Sequence, residues 1–312
     1  MSAREADRPG LAEVLAVWAA FGAVALAVLV TYWRLPVEEL YNVDEEGLAR
    51  GAGRALVFLG YPTALVAVAL LAVVAHRLRS GPTTVAAVLA ALLCATVVWP
   101  GVVEQSDLDA KPVNAVAGVG VLVAAVLTAL ALARGGIGEV RPFGGWDVAR
   151  VALACVLVLA ALPWISAELG FYLDGIPGLG ALFLSGEPSP EPGHPNLTAV
   201  HLGHHHGLDG TLLALAAIAL SRVVPQVSRR ALRIALGLYV SLMLAYGLAN
   251  AVQDFWLEQL VKRGATSLEI PSLIVPKASL AWAALVAAAL LIHFAARRVG
   301  TEAAVPPAKG AE

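Results

Sequence analysis

The chain has 312 residues, 59% of them hydrophobic and 14% charged, with a formal net charge of −2. An ordinary soluble domain is about 45–50% apolar and about 25% charged, so water is not the solvent for most of this surface. There is no basic tract, no RNA-binding aromatic signature and no room for a separate nucleic-acid module, so nucleic acid is not an expected partner.

Apolar runs of about 20 residues, the length that crosses a hydrocarbon core about 30 Å thick, recur along the chain. The first, 11–33, follows a short tail carrying Arg4 and Arg8. It exceeds the roughly 7–15 residues of a signal-peptide core and ends in Tyr32, Trp33 and Arg34 instead of a small-residue cleavage site, so it reads as a retained span. Seven more follow at 55–75, 83–100, 113–133, 148–167, 207–224, 231–252 and 274–295. The expected fold class is therefore all-α, a polytopic transmembrane bundle of eight spans. Its domain would cover 11–297, between tails at 1–10 and 298–312. The longest connection, 168–200, has no Lys or Arg and is rich in Gly and Pro, the profile of a functional or disordered loop. Trp33, Trp99, Trp146, Trp164 and Trp256 fall at span ends, where amphipathic rings prefer the headgroup level. Pro62 and Pro163 read as local kinks. Cys94 and Cys155 both lie inside spans and read as small buried hydrophobes, not as a disulfide.

Charge sets the orientation. Cationic loops are retained on the cytoplasmic side, and alternate connections here hold Arg77, Arg79, Arg134, Arg141, Arg150, Arg222, Arg229, Arg230, Arg233, Arg297 and Arg298. The remaining connections collect acids: Glu38, Glu39, Asp44, Glu45 and Glu46, then Glu104, Asp107 and Asp109, then Glu168, Asp174, Glu187 and Glu191. Both termini are expected on the cytoplasmic side, and the localisation is an integral, multi-pass protein of the plasma membrane.

Five of the seven histidines fall between His194 and His206. Neutral imidazole is the commonest metal ligand, and several imidazoles converging on one point share a reason to be neutral if they bind a cation. If the sixth helix begins near Thr198, a wheel at about 100° per residue puts His201, His204, His205 and Asp209 in one sector of roughly 140°. Gly203, Gly207 and Gly210 then share the opposite sector, a strip on which another helix can pack closely. His201 and His205 at i, i+4 have the spacing of helical zinc sites. The expected metal ligands are His201, His205 and Asp209, with His204 and His194 as further candidates, and the cofactor a zinc, iron or copper ion. Two other readings stay open: a polar loop whose histidines are solvated, and a pH sensor. The segment His201-x-x-His204-His205 also resembles one histidine box of the membrane di-iron desaturases and hydroxylases. The likeness covers five residues, and those enzymes hold two irons with several such boxes, so it carries no reaction over.

The seventh span ends in a second polar stripe, Asn250, Gln253, Asp254 and Glu258, spaced to lie on one side of a helix. The turn joining helices six and seven is short and Arg-rich, so the two are expected as antiparallel neighbours whose outer ends bring carboxylates towards the histidines. Asp254 and Glu258 are the candidates for a ligand, an orienting partner or a general base; an ordinary solvated helix end near Lys262 and Arg263 is the alternative. Glu168, Glu104 and Asp107 lie at the same level with less weight. His76 and His293, at span ends, read as interfacial residues ahead of a haem pair, and Asn196-Leu-Thr198 matches a glycosylation sequon.

The middles of the spans hold almost no ionisable residue, which argues against a proton-driven pump. Three functions remain: a membrane metalloenzyme acting at the outer surface on a lipid or small substrate, a transporter or metal-handling permease subunit, and a structural subunit without metal. The expected partners are the bilayer, that substrate and other membrane subunits.

Overall fold

A computed structural model describes residues 9–41, 46–99, 110–183, 188–189 and 197–302. The described residues are helical apart from turns, loops and two isolated bridges. In chain order the helices are α1 (Ala12–Arg34), α2 (Gly47–Phe58), α3 (Ala64–Leu78), α4 (Gly81–Ala95), α5 (Pro112–Gly135), α6 (Gly145–Ala160), α7 (Leu162–Glu168), α8 (Gly180–Phe183), α9 (His206–Leu220), α10 (Arg230–Trp256) and α11 (Leu280–Glu302).

Among the described residues, six helices are long and apolar enough to cross a membrane, and α6 with α7 forms a seventh such unit bent by 57°. The bend falls at Ala161 and Leu162, with Pro163 in the first turn of α7, a position where a missing N–H costs nothing. The sixth expected span, 207–224, corresponds to α9, which has 15 residues and a length of about 22 Å at 1.5 Å per residue. By itself that is short of the hydrocarbon thickness.

Two spans contain a π turn. Leu59–Thr63 joins α2 to α3, so that Gly47–Leu78 is one continuous 32-residue helix. The regular α-helical ladder gives way there around Pro62, which has no N–H to donate to it. Leu257–Val261 extends α10 in the same way. Each inserts an extra residue and rotates the face that follows, a feature that concentrates at functional sites.

The core is made by α9. Nearly all its side chains are buried, and it packs most extensively on α10, with α1, α6 and α7 on its other sides. Gly210 and Gly247 let the α9 and α10 backbones touch: a Cβ on Gly210 would lie 2.5 Å from the Gly247 carbonyl oxygen and 2.7 Å from Ala251 N. The expected antiparallel pairing of these helices is thus present. Outward surfaces are apolar; Leu89, Leu92, Leu122, Val126, Leu159 and Leu291 are each more than half exposed, a belt suited to lipid and not to water.

The two ends of the bundle differ. At one, Arg222 pairs with Glu13 at 2.8 Å and with Asp147 at 2.5 Å and donates to the Arg141 carbonyl, while Arg77 donates to the carbonyls of Pro9, Gly135 and Gly136. These bonds tie the start of α1 to the ends of α3, α5 and α9 and the start of α6. At the other end lie the close of α1, the start of α2, α7, the start of α9 and the close of α10, and with them His201, His204, His205 and His206. Among the described residues, Arg77, Arg141 and Arg222 lie at the first end and Glu168, Asp209 and Glu258 at the second.

Candidate metal centre

The histidine segment is extended, not helical. His205 is the N-cap of α9, with φ −120° and ψ 144°, and its side chain does not cap the helix. The helix starts at His206, one residue from the span start at 207, and the earlier start near Thr198 that the wheel supposes is not present. Gly203 explains part of this, since its φ of +110° lies in the region that side-chain-bearing residues rarely adopt. A Cβ there would also press on the Tyr32 hydroxyl at 2.6 Å.

An extended segment at the end of a membrane bundle must find partners for its backbone. Gly203 N–H donates to the Ala167 carbonyl at 3.0 Å, His204 N–H to the Tyr32 hydroxyl at 3.0 Å, and Leu202 bridges Leu40. The uncapped α9 N-terminus is satisfied from another helix, for Gly207 N–H donates to Asp254 Oδ2 at 2.6 Å. A carboxylate there also opposes the positive end of the helix dipole.

Three side chains converge despite the extended backbone. His201, His205 and Glu258 are all buried and offer ligand atoms that lie within 4.8 Å of one another. The two imidazole centroids are 4.4 Å apart, with Tyr41 against the outer face of His201 at 5.0 Å. His205 Nδ1 meets Glu258 Oε1 at 2.8 Å, and His205 Nε2 donates to the His201 carbonyl at 2.9 Å. That second bond keeps a proton on Nε2 and turns Nδ1 to the carboxylate: without metal a doubly protonated ring donates there, and with metal a neutral ring has Nδ1 free to ligate, as a ligating histidine is usually oriented. Glu258 is 1% exposed. It points inward from the π turn that closes α10, and its second oxygen, Oε2, accepts Trp164 Nε1–H at 2.6 Å.

His204 belongs to a separate arrangement. Its Nδ1 lies 2.6 Å from Glu168 Oε2 and its Nε2 2.7 Å from Asp209 Oδ1, with Phe58 edge-on at 5.3 Å. The two nitrogens point in opposite directions, so Glu168 and Asp209 do not share one coordination point with it. Burial opposes a charge on His204, but the Asp209 and Glu168 carboxylates outweigh it and raise its pKa well above the ordinary 6.5. His205 is raised as well: burial pulls it down and Glu258 pulls it up further.

Of the residues singled out from the sequence, His201, His205 and Glu258 are thus brought together. Asp209 and His204 pair beside them, Asp254 caps α9, and His194, Glu104 and Asp107 lie outside the described residues. Glu168, given less weight, is 2% exposed and central to the cluster, with Oε1 buried and unbonded. Trp164, expected at the headgroup level, is also 2% exposed. Two residues escaped the sequence reading altogether. Arg50 and Arg54 are buried in α2, where Arg50 donates to the carbonyls of Tyr32 and Leu35 and Arg54 stacks on the Tyr32 ring at 4.8 Å. Their signal was present: arginines spaced i, i+4 directly before an apolar run continue that run as a helix.

No protein-family model matches this chain, and no curated protein and no solved structure matches it.

Proposed function

We propose that the chain is a multi-pass membrane metalloprotein that binds one divalent transition-metal ion through His201, His205 and Glu258 at the outer end of its bundle, and that the ion activates water against a lipid or small substrate there. The observation that carries the reading is the buried group of three donors within 4.8 Å. Two histidines and one carboxylate are the protein ligands of a class of catalytic zinc sites, in which the fourth position is left for water or substrate. A zinc-bound water is acidic enough to supply hydroxide near neutral pH.

Charge supports the same reading. Glu168, Asp209, Asp254 and Glu258 are all buried at this end, and desolvated carboxylates need cations. Arg54 and the charged form of His204 supply part of that demand, and a metal dication supplies more. In this assignment His201 and His205 are ligands, Glu258 is the anionic ligand, Asp254 orients the helix end that carries them, and Asp209 and His204 hold a proton beside the site.

Transport of the ion through the bundle requires α9 and α10 to part below the site, and their backbone contact at Gly210 and Gly247 opposes that movement. A fixed centre serving chemistry at the outer face of the plasma membrane fits the packing better. Both termini are then cytoplasmic, and the bilayer is the partner that supplies a lipid substrate.

The test is to purify the protein in mild detergent, reconstitute it with zinc, iron or copper and measure bound metal by mass spectrometry beside a His201→Ala/His205→Ala double variant. Near-stoichiometric metal lost in the variant supports the reading. No metal in either protein sinks it.

A further inference from the structure

The metal reading leaves open why Glu258 presents one oxygen to His205. A buried carboxylate can bind an ion through one oxygen or both, and the choice decides how many positions remain for water or substrate. Here the two oxygens are separated by their partners: Oε1 faces His205 Nδ1 at 2.8 Å and Oε2 accepts the indole N–H of Trp164 at 2.6 Å. An indole nitrogen donates and never accepts, so Trp164 cannot itself ligate a metal. Its N–H occupies one lone pair of Oε2 and competes there with a metal for that oxygen.

Everything around Trp164 serves to fix it. It sits in the first turn of α7, just past the 57° bend that aims α7 away from the axis of α6. On the α9 side, Gly207 makes room for the ring: a Cβ at that position would lie 2.2–2.4 Å from three atoms of the indole. Gly207 is the second residue of α9, and its missing side chain admits the edge of the six-membered ring. The bend, the glycine and the short hydrogen bond together place one N–H on one oxygen.

We propose that Trp164 is a positioning residue that keeps Glu258 a single-oxygen ligand and so preserves an open coordination position on the metal. The proposal rests on the metal reading above and adds to it the control of coordination number. Gly207 acts through Trp164, as the residue whose missing side chain allows the indole to reach Glu258.

The experiment compares wild-type protein with Trp164→Phe, which keeps an aromatic ring and removes the donor, each loaded with cobalt(II) alone as a spectroscopic probe and titrated separately with zinc(II). In Trp164→Phe, Oε2 turns to the metal, the visible cobalt bands lose intensity as coordination rises from four to five, and zinc affinity changes by about 10- to 100-fold, the range for loss of an orienting partner. A residue that merely stabilises the fold would move affinity or yield without moving the cobalt spectrum. Identical cobalt spectra in the two proteins overturn the proposal while leaving the metal reading intact, whereas failure of the wild type to bind cobalt or zinc overturns both.

A second measurement uses the native chain, in case Trp164→Phe does not fold. With ¹⁵N-labelled indoles, the Trp164 resonance, assigned by Phe substitutions at the other six tryptophans, shifts on zinc addition while staying in the hydrogen-bonded range. No response of that resonance in protein that binds zinc overturns the proposal.

Discussion

Replacing Glu258 tests the centre and the fold around it at once. The carboxylate is 1% exposed and is the partner of two buried donors, His205 Nδ1 at 2.8 Å and Trp164 Nε1 at 2.6 Å. Glu258→Leu keeps the volume roughly constant and leaves an imidazole and an indole N–H without an acceptor. Breaking a buried charged pair by removing one member costs about 3–5 kcal/mol, and an orphaned neutral donor costs about 1–3 kcal/mol. These overlap at one side chain, so about 3–5 kcal/mol is the expected loss. Glu258→Gln retains one acceptor oxygen and turns an NH₂ group on the other donor, so its expected loss is about 1–3 kcal/mol. Reversible unfolding in mixed micelles, without metal, measures both. With zinc at about 100 times its dissociation constant the wild type gains about 2.7 kcal/mol, and neither variant gains a comparable amount at the same concentration. Equal stability of wild type and Glu258→Leu would refute the burial of the pair. Full zinc stabilisation of Glu258→Gln would place the metal elsewhere.

Further outcomes follow from the surroundings of the centre. Asp254→Ala removes the acceptor for Gly207 N–H and uncaps α9, with an expected loss of about 0.5–2 kcal/mol, read by the same unfolding assay. Gly210→Ala forces a Cβ to within 2.5 Å of the Gly247 carbonyl oxygen, and overpacking of this kind costs about 1–3 kcal/mol; a neutral result would mean that the helices separate without penalty. The His204 pairing also predicts a pH dependence. Burial lowers its pKa, the Asp209 and Glu168 carboxylates raise it by more, and the net direction is upward. Its contribution to stability is therefore complete below the unfolded value of about 6.5 and is lost as pH rises through the folded value. A His204→Gln variant should flatten that part of the stability profile, and an unchanged profile would count against the pairing.

The sequence carried the membrane architecture because lipid imposes a length and a composition on each span, and both are printed in the residues. It also singled out the two histidines that the structure brings together with Glu258, but for a reason that does not hold. The i, i+4 spacing of His201 and His205 was read on a helix, whereas the segment is extended and turned at Gly203, and the two rings meet because the turn folds them together. The wheel that grouped Asp209 with them therefore fails, and Asp209 joins His204. On α10 the polar stripe of Asn250, Asp254 and Glu258 was legible, yet the inward aim of Glu258 depends on a π turn that has no signature in hydrophobic periodicity. Trp164 was misplaced for a related reason: an indole near a span end suggests headgroups unless one knows that the helix bends towards its neighbours there.

The buried arginines of α2 bear on how the chain enters a membrane. Arg50 and Arg54 are 3% and 4% exposed, near the start of the 32-residue helix Gly47–Leu78, and a charge buried among apolar side chains needs partners. Arg50 meets the carbonyls of Tyr32 and Leu35, and Arg54 lies over the Tyr32 ring and donates to its hydroxyl at 3.4 Å. All of those partners belong to the close of α1, which emerges from the ribosome first. The end of α1 is thus a prepared receptor for the start of α2, whose two cationic side chains are covered by a segment made before them.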